Sequence, residues 1–215
     1  VAELPSIEQS YDKFGTLAEA VADATLTVGQ AWRITDRADG IFDVVLASGV
    51  TPNTFNIIQC VGAPTLALTL RLDAEMQPEA FGALGDDIQD DAPAIDAMIS
   101  ANVRLIGRPD STYLFKSTIT TSLRVAFNLN GATLKSEWNT GTTAGAFYPQ
   151  LMLDITSSPR VDIYGGTING GRPDAVSSGN TDEVDETNPL ICVRDSSNVK
   201  LKNNLFTNYG CALYS

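Results

Sequence analysis

The segment 81–101 constrains the fold of this chain more than any other, because it joins a run of acids to a short apolar stripe. Ile95, Met98 and Ile99 stand at i, i+3 and i+4, a spacing that places all three side chains on one face of a short helix. Asp91 precedes this stripe, and a carboxylate there accepts hydrogen bonds from the free N–H groups of the first turn and opposes the positive end of the dipole. We therefore interpret Asp91 as the helix N-cap and the neighbouring acids as structural rather than catalytic.

The same segment resembles the start of the pectate-lyase-like right-handed β-helix found in bacteriophage tailspikes and related polysaccharide-degrading enzymes. In that family the run is FGA-x-GDG-x-TDD-x-x-AI-x-x-AI. Asp87 stands where the family has Gly, Gln89 stands where it has Thr, and residues 108–115 resemble the family's P-x-G-x-Y first rung with Asp110 in place of Gly. The residues that match in register are Phe81-Gly82-Ala83, Gly85-Asp86, Asp90-Asp91, Ala94-Ile95 and Met98-Ile99. The resemblance implies a helix that closes the N-terminal end of a β-helix, with structural roles for Gly82, Gly85, Asp86, Asp90 and Asp91.

Beyond residue 101 the chain repeats itself. Residues 127–134 align with 161–168, and Val161-Asp162-Ile163 aligns in turn with Val199-Lys200-Leu201, where Asn203-Asn204 replaces Gly165-Gly166. Each unit is an alternating strand, a tight corner that needs Gly or Asn at positive φ, and a second short strand, which predicts a parallel β-helix. The units are longer than one coil, so we expect insertions at 136–150 and 171–188. Solenoid insertions gather on one face, and ligand contacts are expected there.

The predicted fold class is mainly β, with a small mixed α/β head domain and connector over 1–78 and the first coils of a right-handed parallel β-helix over 79–215. In the head, Thr16 and Glu19 form a capping box that opens a helix to about Ala24. Strand-like runs separated by turn residues follow at 26–33, 41–46, 56–61 and 66–72, and 73–79 is interpreted as the connector. The stack has no terminal cap, so we expect the chain to be the N-terminal portion of a longer protein.

Composition narrows the function classes. The chain has 14 Lys and Arg against 26 Asp and Glu, and its net charge of −12 argues against nucleic acid and anionic membranes as partners. It has no histidine, which excludes Ser-His-Asp and Cys-His catalysis and histidine-bound metals. Cys60, Cys192 and Cys211 lack CxxC spacing and are interpreted as small buried hydrophobic residues. The sequence predicts neither a cofactor nor a metal site.

No pair of stacked carboxylates emerges from the repeats, although glycoside hydrolysis needs two such groups close together. Asp162 is expected to point outward, but its aligned positions are Asn128 and Lys200. Asp154 aligns with Cys192, and Asp195 aligns with Ser157. The catalytic residues are therefore unknown and expected after Ser215. Four acids at 182–186 suit a solvated loop better than a calcium site.

Basic residues on the predicted coils are the candidates for substrate binding: Arg160, Arg194, Lys200 and Lys202. Such a strip neutralises the acid groups of a uronate-containing polymer, although solvated surface positions explain these residues equally well. Trp138, Tyr148 and Tyr164 either stack on sugar rings or pack in the core.

The resemblance implies a phage tailspike, a homotrimer of the virion that attaches to tail or baseplate proteins through its head and recognises and depolymerises a bacterial surface polysaccharide. On this hypothesis the present chain is inactive alone. Two alternatives stay open. One is a non-enzymatic virion or adhesin module that only binds glycan or attaches to the tail, and the other is a secreted cellular polysaccharide lyase or hydrolase.

Overall fold

The structure is a computed structural model that describes residues 11–140, 147–149, 151–170, 189–207 and 211–214. The chain forms two compact units, the first ending at Leu72 and the second beginning at Asp73. None of the helices in these described ranges is both long and apolar enough to cross a membrane.

The first unit is a five-stranded sheet with one short helix. The Thr16–Glu19 capping box is confirmed, since the Glu19 N–H donates to the Thr16 hydroxyl and the Thr16 N–H donates to the Glu19 carboxylate. The helix and strands of the first unit are β1 (Lys13–Gly15), α1 (Leu17–Ala22), β2 (Ala31–Ile34), β3 (Gly40–Leu46), β4 (Ile57–Gln59) and β5 (Leu66–Leu70). The sheet order is β1-β2-β3-β5-β4, with β1 and β2 parallel and the other pairs antiparallel. Phe42, Ile34 and Leu68 are fully buried in its core.

The second unit is built almost entirely from short strands. A 3-10 helix lies at Pro78–Phe81, and the one α-helix among its described residues is α2 (Ala92–Ser100). The strands before the first insertion are β6 (Glu75–Met76), β7 (Asp86–Asp90), β8 (Arg104–Ile106), β9 (Thr112–Phe115), β10 (Ile119–Thr121), β11 (Val125–Asn128) and β12 (Thr133–Ser136). Those that follow are β13 (Trp138–Thr140), β14 (Phe147–Pro149), β15 (Leu153–Thr156), β16 (Val161–Tyr164), β17 (Thr167–Asn169), β18 (Pro189–Arg194), β19 (Val199–Lys202), β20 (Leu205–Thr207) and β21 (Cys211–Tyr214).

These strands stack coil upon coil into three parallel sheets. The first sheet is β6-β8-β11-β16-β19, the second is β7-β9-β12-β17-β20, and the third is β10-β15-β18-β21. Each coil adds one strand to each sheet, except that α2 takes the place of a third-sheet strand in the opening coil. This is the arrangement of a parallel β-helix, as the repeats indicated. Both insertions join a second-sheet strand to a third-sheet strand, and the first contains the β13–β14 hairpin.

Inward positions of neighbouring coils form apolar columns. Val125 pairs with Val161, and Phe127 pairs with Ile163, all four fully buried or nearly so. Burial of each such side chain contributes about 1.5–3 kcal/mol to the stability of the fold, so these columns hold the coils together. The Ile95, Met98 and Ile99 stripe is buried as expected from its spacing. Cys60 and Cys192 are buried free thiols, while the side chain of Cys211 lies outside the described part.

One predicted alignment was wrong. Val161 pairs with Val125 rather than with Phe127, whereas Thr167 pairs with Thr133 as aligned. The corner between β11 and β12 spans residues 129–132, but the corner between β16 and β17 is only Gly165-Gly166. Because the corner is longer in one coil, the register differs from the predicted one for the strands before the corner and agrees with it for the strands after the corner. The later alignment of Val161 with Val199 is confirmed.

Part of the segment interpreted as the connector belongs to the first sheet. Glu75 and Met76 form β6, which pairs in parallel with β8 in the first sheet. Whether the first unit acts as a tailspike head stays a prediction.

Two aspartates adopt the left-handed conformation that explains why the related motif has Gly there. Asp87 and Asp110 both have φ of 63°. Aspartate tolerates this region better than most side chains because its short polar group bonds locally. The motif therefore keeps its turn geometry despite both replacements.

Candidate functional site

Two groups of polar residues stand out in the second unit: a buried acid cluster at its N-terminal end and a basic groove on the outer face of the first sheet. The acid cluster centres on Asp91, which is 1% exposed. Its carboxylate accepts from the Leu84 N–H at 2.7 Å, the Gly85 N–H at 3.3 Å and the Leu114 N–H at 3.2 Å. Burial raises the pKa of Asp91, and these three hydrogen bonds act in the opposite direction.

The capping interpretation of Asp91 was therefore wrong for its side chain, which makes no hydrogen bond to the first turn of α2. That turn is served by Asp90, whose carboxylate accepts from the Ala92 N–H at 3.1 Å and also from the Lys116 N–H at 3.0 Å. Asp91 faces inward because β9 of the next coil passes beside it and offers the Leu114 N–H.

The neighbouring motif residues shape the turn that presents these amides. The Asp86 carboxylate accepts hydrogen bonds from the Gln89 and Ile88 N–H groups. Both bonds lower the pKa of Asp86, and the bond from Gln89 has the larger effect. Gly85 has φ of 62°, and a Cβ there would lie 3.0 Å from Ser111 and Tyr113, so no other residue fits without strain. Gly82 ends the 3-10 helix in the left-handed region.

Glu79 completes the buried cluster. The Tyr113 hydroxyl donates to its carboxylate at 3.1 Å and accepts from the Arg108 N–H at 3.0 Å. Arg108 also lies 3.3 Å from Glu79 through its guanidinium. Burial raises the pKa of Tyr113, so the phenol remains a donor. These groups bond one another, and the cluster is structural.

The second group of polar residues occupies outward positions of the first sheet. Parallel register sets Glu75 beside Arg104, Ala126 beside Asp162, and Asp162 beside Lys200. A second outward row, one alternation further along each strand, sets Asn128 beside Tyr164 and Tyr164 beside Lys202. Neighbouring strands are about 4.8 Å apart, so side chains in one row lie within reach of each other.

A shallow cavity of about 290 Å³ opens over these rows. We refer to it as the basic groove, and its lining residues are Arg104, Arg160, Asp162, Tyr164, Lys200, Lys202 and Asn203. Four of the seven carry a positive charge, in a chain whose net charge is −12. The lining residues therefore carry a net positive charge, opposite in sign to the net charge of the chain.

Two ion pairs fix part of the groove. Arg160 bonds Asp162 through its Nε, and Arg104 bonds Glu75 through a terminal nitrogen. The Asp162 side chain is only 12% exposed, so this carboxylate is largely covered. Lys200 and Lys202 are exposed, and neither forms an ion pair with any residue in the described ranges.

The groove gathers three of the four predicted substrate-binding residues, namely Arg160, Lys200 and Lys202. Arg194 lies apart on β18 of the third sheet, where it bonds Asp154 at 2.5 Å. Sequence reasoning missed Arg104, which precedes the detectable repeats. The register signal was nonetheless available, because Arg104 and Leu105 alternate as Asp162 and Ile163 do.

With the corrected register, the described neighbours of Asp162 on the adjacent coils are Ala126 and Lys200, and neither is an acid. No group of three or more possible metal ligands occurs within the described residues. The acids at 182–186 and the side chains of Trp138 and Tyr148 fall outside the described part. The cationic side chains of the groove can bind an anion, and the phenol of Tyr164 beside them can contact a sugar.

The second unit thus has the fold of parallel β-helix proteins with a basic outer groove. Among solved structures, the chain is similar to the enzymatically active domain of tailspike protein 2 from bacteriophage CBA120, with a TM-score of 0.50 and 15% identity over 94% of this chain and 36% of that one. Full-length tailspike protein 2 from Escherichia coli O157:H7 bacteriophage CAB120 matches with a TM-score of 0.37 and 16% identity over 86% of this chain and 27% of that one.

The chain spans about a third of the length of the first of these structures. At this identity the likeness concerns the fold, and it supports the tailspike part of the resemblance at that level. The pectate-lyase-like part stays a prediction. No protein-family model matches the chain, and no curated protein matches it.

Proposed function

We propose that this chain is part of a bacteriophage tailspike that recognises and depolymerises a bacterial surface polysaccharide. The observation that carries the proposal is the stack of three parallel sheets with a groove on one outer face, in a fold similar to a tailspike domain described as enzymatically active. A stack of coils offers a long, regular surface along which an extended polymer lies. The handedness of the coils, taken as right-handed, belongs to the same proposal.

The assembly that follows from this proposal is a homotrimer in the phage virion, attached to tail or baseplate proteins through the first unit. Trimerisation brings three β-helices side by side, so that a binding site draws residues from one coil stack or from two adjacent ones. Light scattering on the complete protein tests this assembly, and a monomer mass would contradict it.

A non-enzymatic module that only binds glycan is the second candidate. It is favoured by one observation, the lack of a stacked carboxylate pair in the described coils. The proposal assigns no catalytic residue in this chain, and we expect the chain alone to be inactive. A secreted cellular lyase or hydrolase is the third candidate, which genome context distinguishes: carbohydrate-metabolism genes rather than tail genes would favour it.

The test compares this chain with the complete protein on capsule or lipopolysaccharide from the host. Reducing ends report hydrolysis, and absorbance of unsaturated uronates reports β-elimination. Turnover by the complete protein alone supports the proposal. Turnover by neither protein, on a glycan to which the complete protein binds, would replace it with the binding-only module.

A further inference from the structure

The basic groove holds more positive charge than its own ion pairs neutralise. Arg160 is paired with Asp162 and Arg104 with Glu75, whereas the side chains of Lys200 and Lys202 have no ion-pair partner within the described residues. Lys200 and Lys202 stand at i and i+2 on one face of β19, about 7 Å apart along the strand. Like charges placed so closely repel each other, and an anion bound between them relieves that repulsion.

The shape of the groove also favours a bound group over a continuous salt-bridge ladder. In the row nearest its centre, β11 contributes Ala126, which the register of β11 with β8 and β16 sets between Arg104 and Asp162. Ala126 is uncharged and buried, so it interrupts the row of charges between Arg104 and Asp162. The row from Arg104 to Lys200 crosses three strand spacings, or about 14 Å, which accommodates a short stretch of an extended saccharide.

The remaining lining residues are suited to a sugar. Tyr164 is half-buried beside Lys202, and a phenol offers both a ring face and a hydroxyl. Asn203 adds an amide that donates to and accepts from sugar hydroxyls. A simple inorganic anion would have no use for these two groups.

Building on the proposed function, we infer that the basic groove is a subsite for an acidic saccharide, a sugar chain whose carboxylates are bound by Lys200 and Lys202 at one end of the groove and by Arg104 at the other. The Arg160–Asp162 pair is a positioning element: the covered carboxylate holds the Arg160 guanidinium against the groove. The inference names the substrate class of the proposed tailspike and leaves the chemistry of cleavage open.

The experiment measures binding of oligogalacturonate to this chain by titration calorimetry, with neutral maltohexaose, inorganic phosphate and single-stranded DNA as comparison probes. The test variant is Lys200→Ala combined with Lys202→Ala. Its matched control is Arg194→Ala, which removes an outward cation of the same unit on the third sheet. We expect the double variant to weaken oligogalacturonate binding by about tenfold or more, because it removes charge-assisted contacts, while the control stays within about twofold.

A second variant separates the sugar contact from charge. Tyr164→Ala removes the ring and hydroxyl from the groove without altering its cationic side chains, so it should weaken oligogalacturonate binding while the thermal midpoint shows that the coils remain folded. Equal losses in the double variant and in Arg194→Ala would overturn the inference, because they would indicate attraction to charge anywhere on the surface. Unchanged binding in the double variant would overturn it as well.

Further outcomes decide between ligand classes. Inorganic phosphate or single-stranded DNA binding as tightly as oligogalacturonate, with the same loss in the double variant, would replace the saccharide subsite with a general anion site or a nucleic-acid site. The two proposals fail separately. If the complete protein degrades host glycan and the double variant binds oligogalacturonate as tightly as the parent, the subsite is refuted and the tailspike function stands. If oligogalacturonate binds in the groove but the complete protein does not bind host glycan, the tailspike function is refuted and the subsite stands.

Discussion

Replacing Asp91 tests most directly how the first coils are held together. A simple N-cap is worth about 1 kcal/mol when replaced by alanine. In the structure, however, Asp91→Ala removes the acceptor of three backbone N–H groups, and those of Gly85 and Leu114 are buried with it. The Leu84 amide belongs to an exposed residue, so water can replace the carboxylate there.

Each buried donor left without an acceptor costs about 1–3 kcal/mol, which gives about 2–6 kcal/mol for the two buried amides. Removing a buried carboxylate also relieves the desolvation that raises its pKa, so part of this loss is recovered. We therefore expect Asp91→Ala to lower the free energy of unfolding of the second unit by about 3 kcal/mol. Asp91→Asn keeps one oxygen acceptor but places its side-chain NH₂ group against a backbone N–H donor. It should lower the free energy of unfolding by about 1–2 kcal/mol.

The assay is urea unfolding of the whole chain in a Trp32→Phe background, which leaves Trp138 of the second unit as the single tryptophan. Hydrogen exchange of the Leu114 amide provides a local measure and should accelerate in both Asp91 variants. Asp96→Ala is the control, because Asp96 is an exposed acid on the same helix and should change stability by no more than about 0.5 kcal/mol. A loss of about 1 kcal/mol or less in Asp91→Ala, with unchanged exchange at Leu114, would refute the buried role and restore the simple cap.

Three further changes have defined outcomes. Tyr113→Phe should destabilise the second unit by about 1–3 kcal/mol in urea unfolding, because it removes the hydroxyl that donates to the buried Glu79 carboxylate. Asp110→Gly should raise stability by up to about 1 kcal/mol in the same assay, since it relieves a left-handed conformation that costs a non-glycine residue energy. Hydrogen bonding from Lys13 and then Thr25 lowers the pKa of Asp23 from 3.8 to about 2, so Asp23→Asn should lower the thermal midpoint at neutral pH. Because the folded pKa is the lower one, this stabilisation is present above pH 3.8 and is lost as the pH falls toward 2, where the two proteins should converge.

Each of these has a result that would contradict it. An unchanged unfolding midpoint for Tyr113→Phe would mean that Arg108 alone satisfies Glu79. A loss of stability in Asp110→Gly as large as in Asp73→Gly, an exposed position without positive φ, would mean that the left-handed turn carries no strain. A difference between Asp23→Asn and the parent chain that stays constant from pH 7 to pH 2 would dismiss the ion pair with Lys13.

The sequence by itself determined the local elements. The Ile95, Met98 and Ile99 spacing specified a buried helix face, and the Thr16–Glu19 pair specified a helix start, because both signals involve residues only a turn apart. Alternation and positive-φ corners identified a parallel β-helix, since each coil repeats the same short pattern. The alignment of Val161 with Val199 was predicted correctly, because the corners of those two coils have equal length.

Only the tertiary structure decided which residues of different coils meet. The corner after β11 is longer than that after β16, and this difference moved the neighbour of Asp162 from Asn128 to Ala126. The same stacking brought Arg104 into the basic groove and left Arg194 on another sheet. Asp91 likewise faces amides supplied partly by the next coil, which no helix pattern reveals. Lateral contacts in a β-helix depend on the summed length of every intervening strand, corner and insertion, so local patterns specify the rungs while only the folded stack specifies the neighbours.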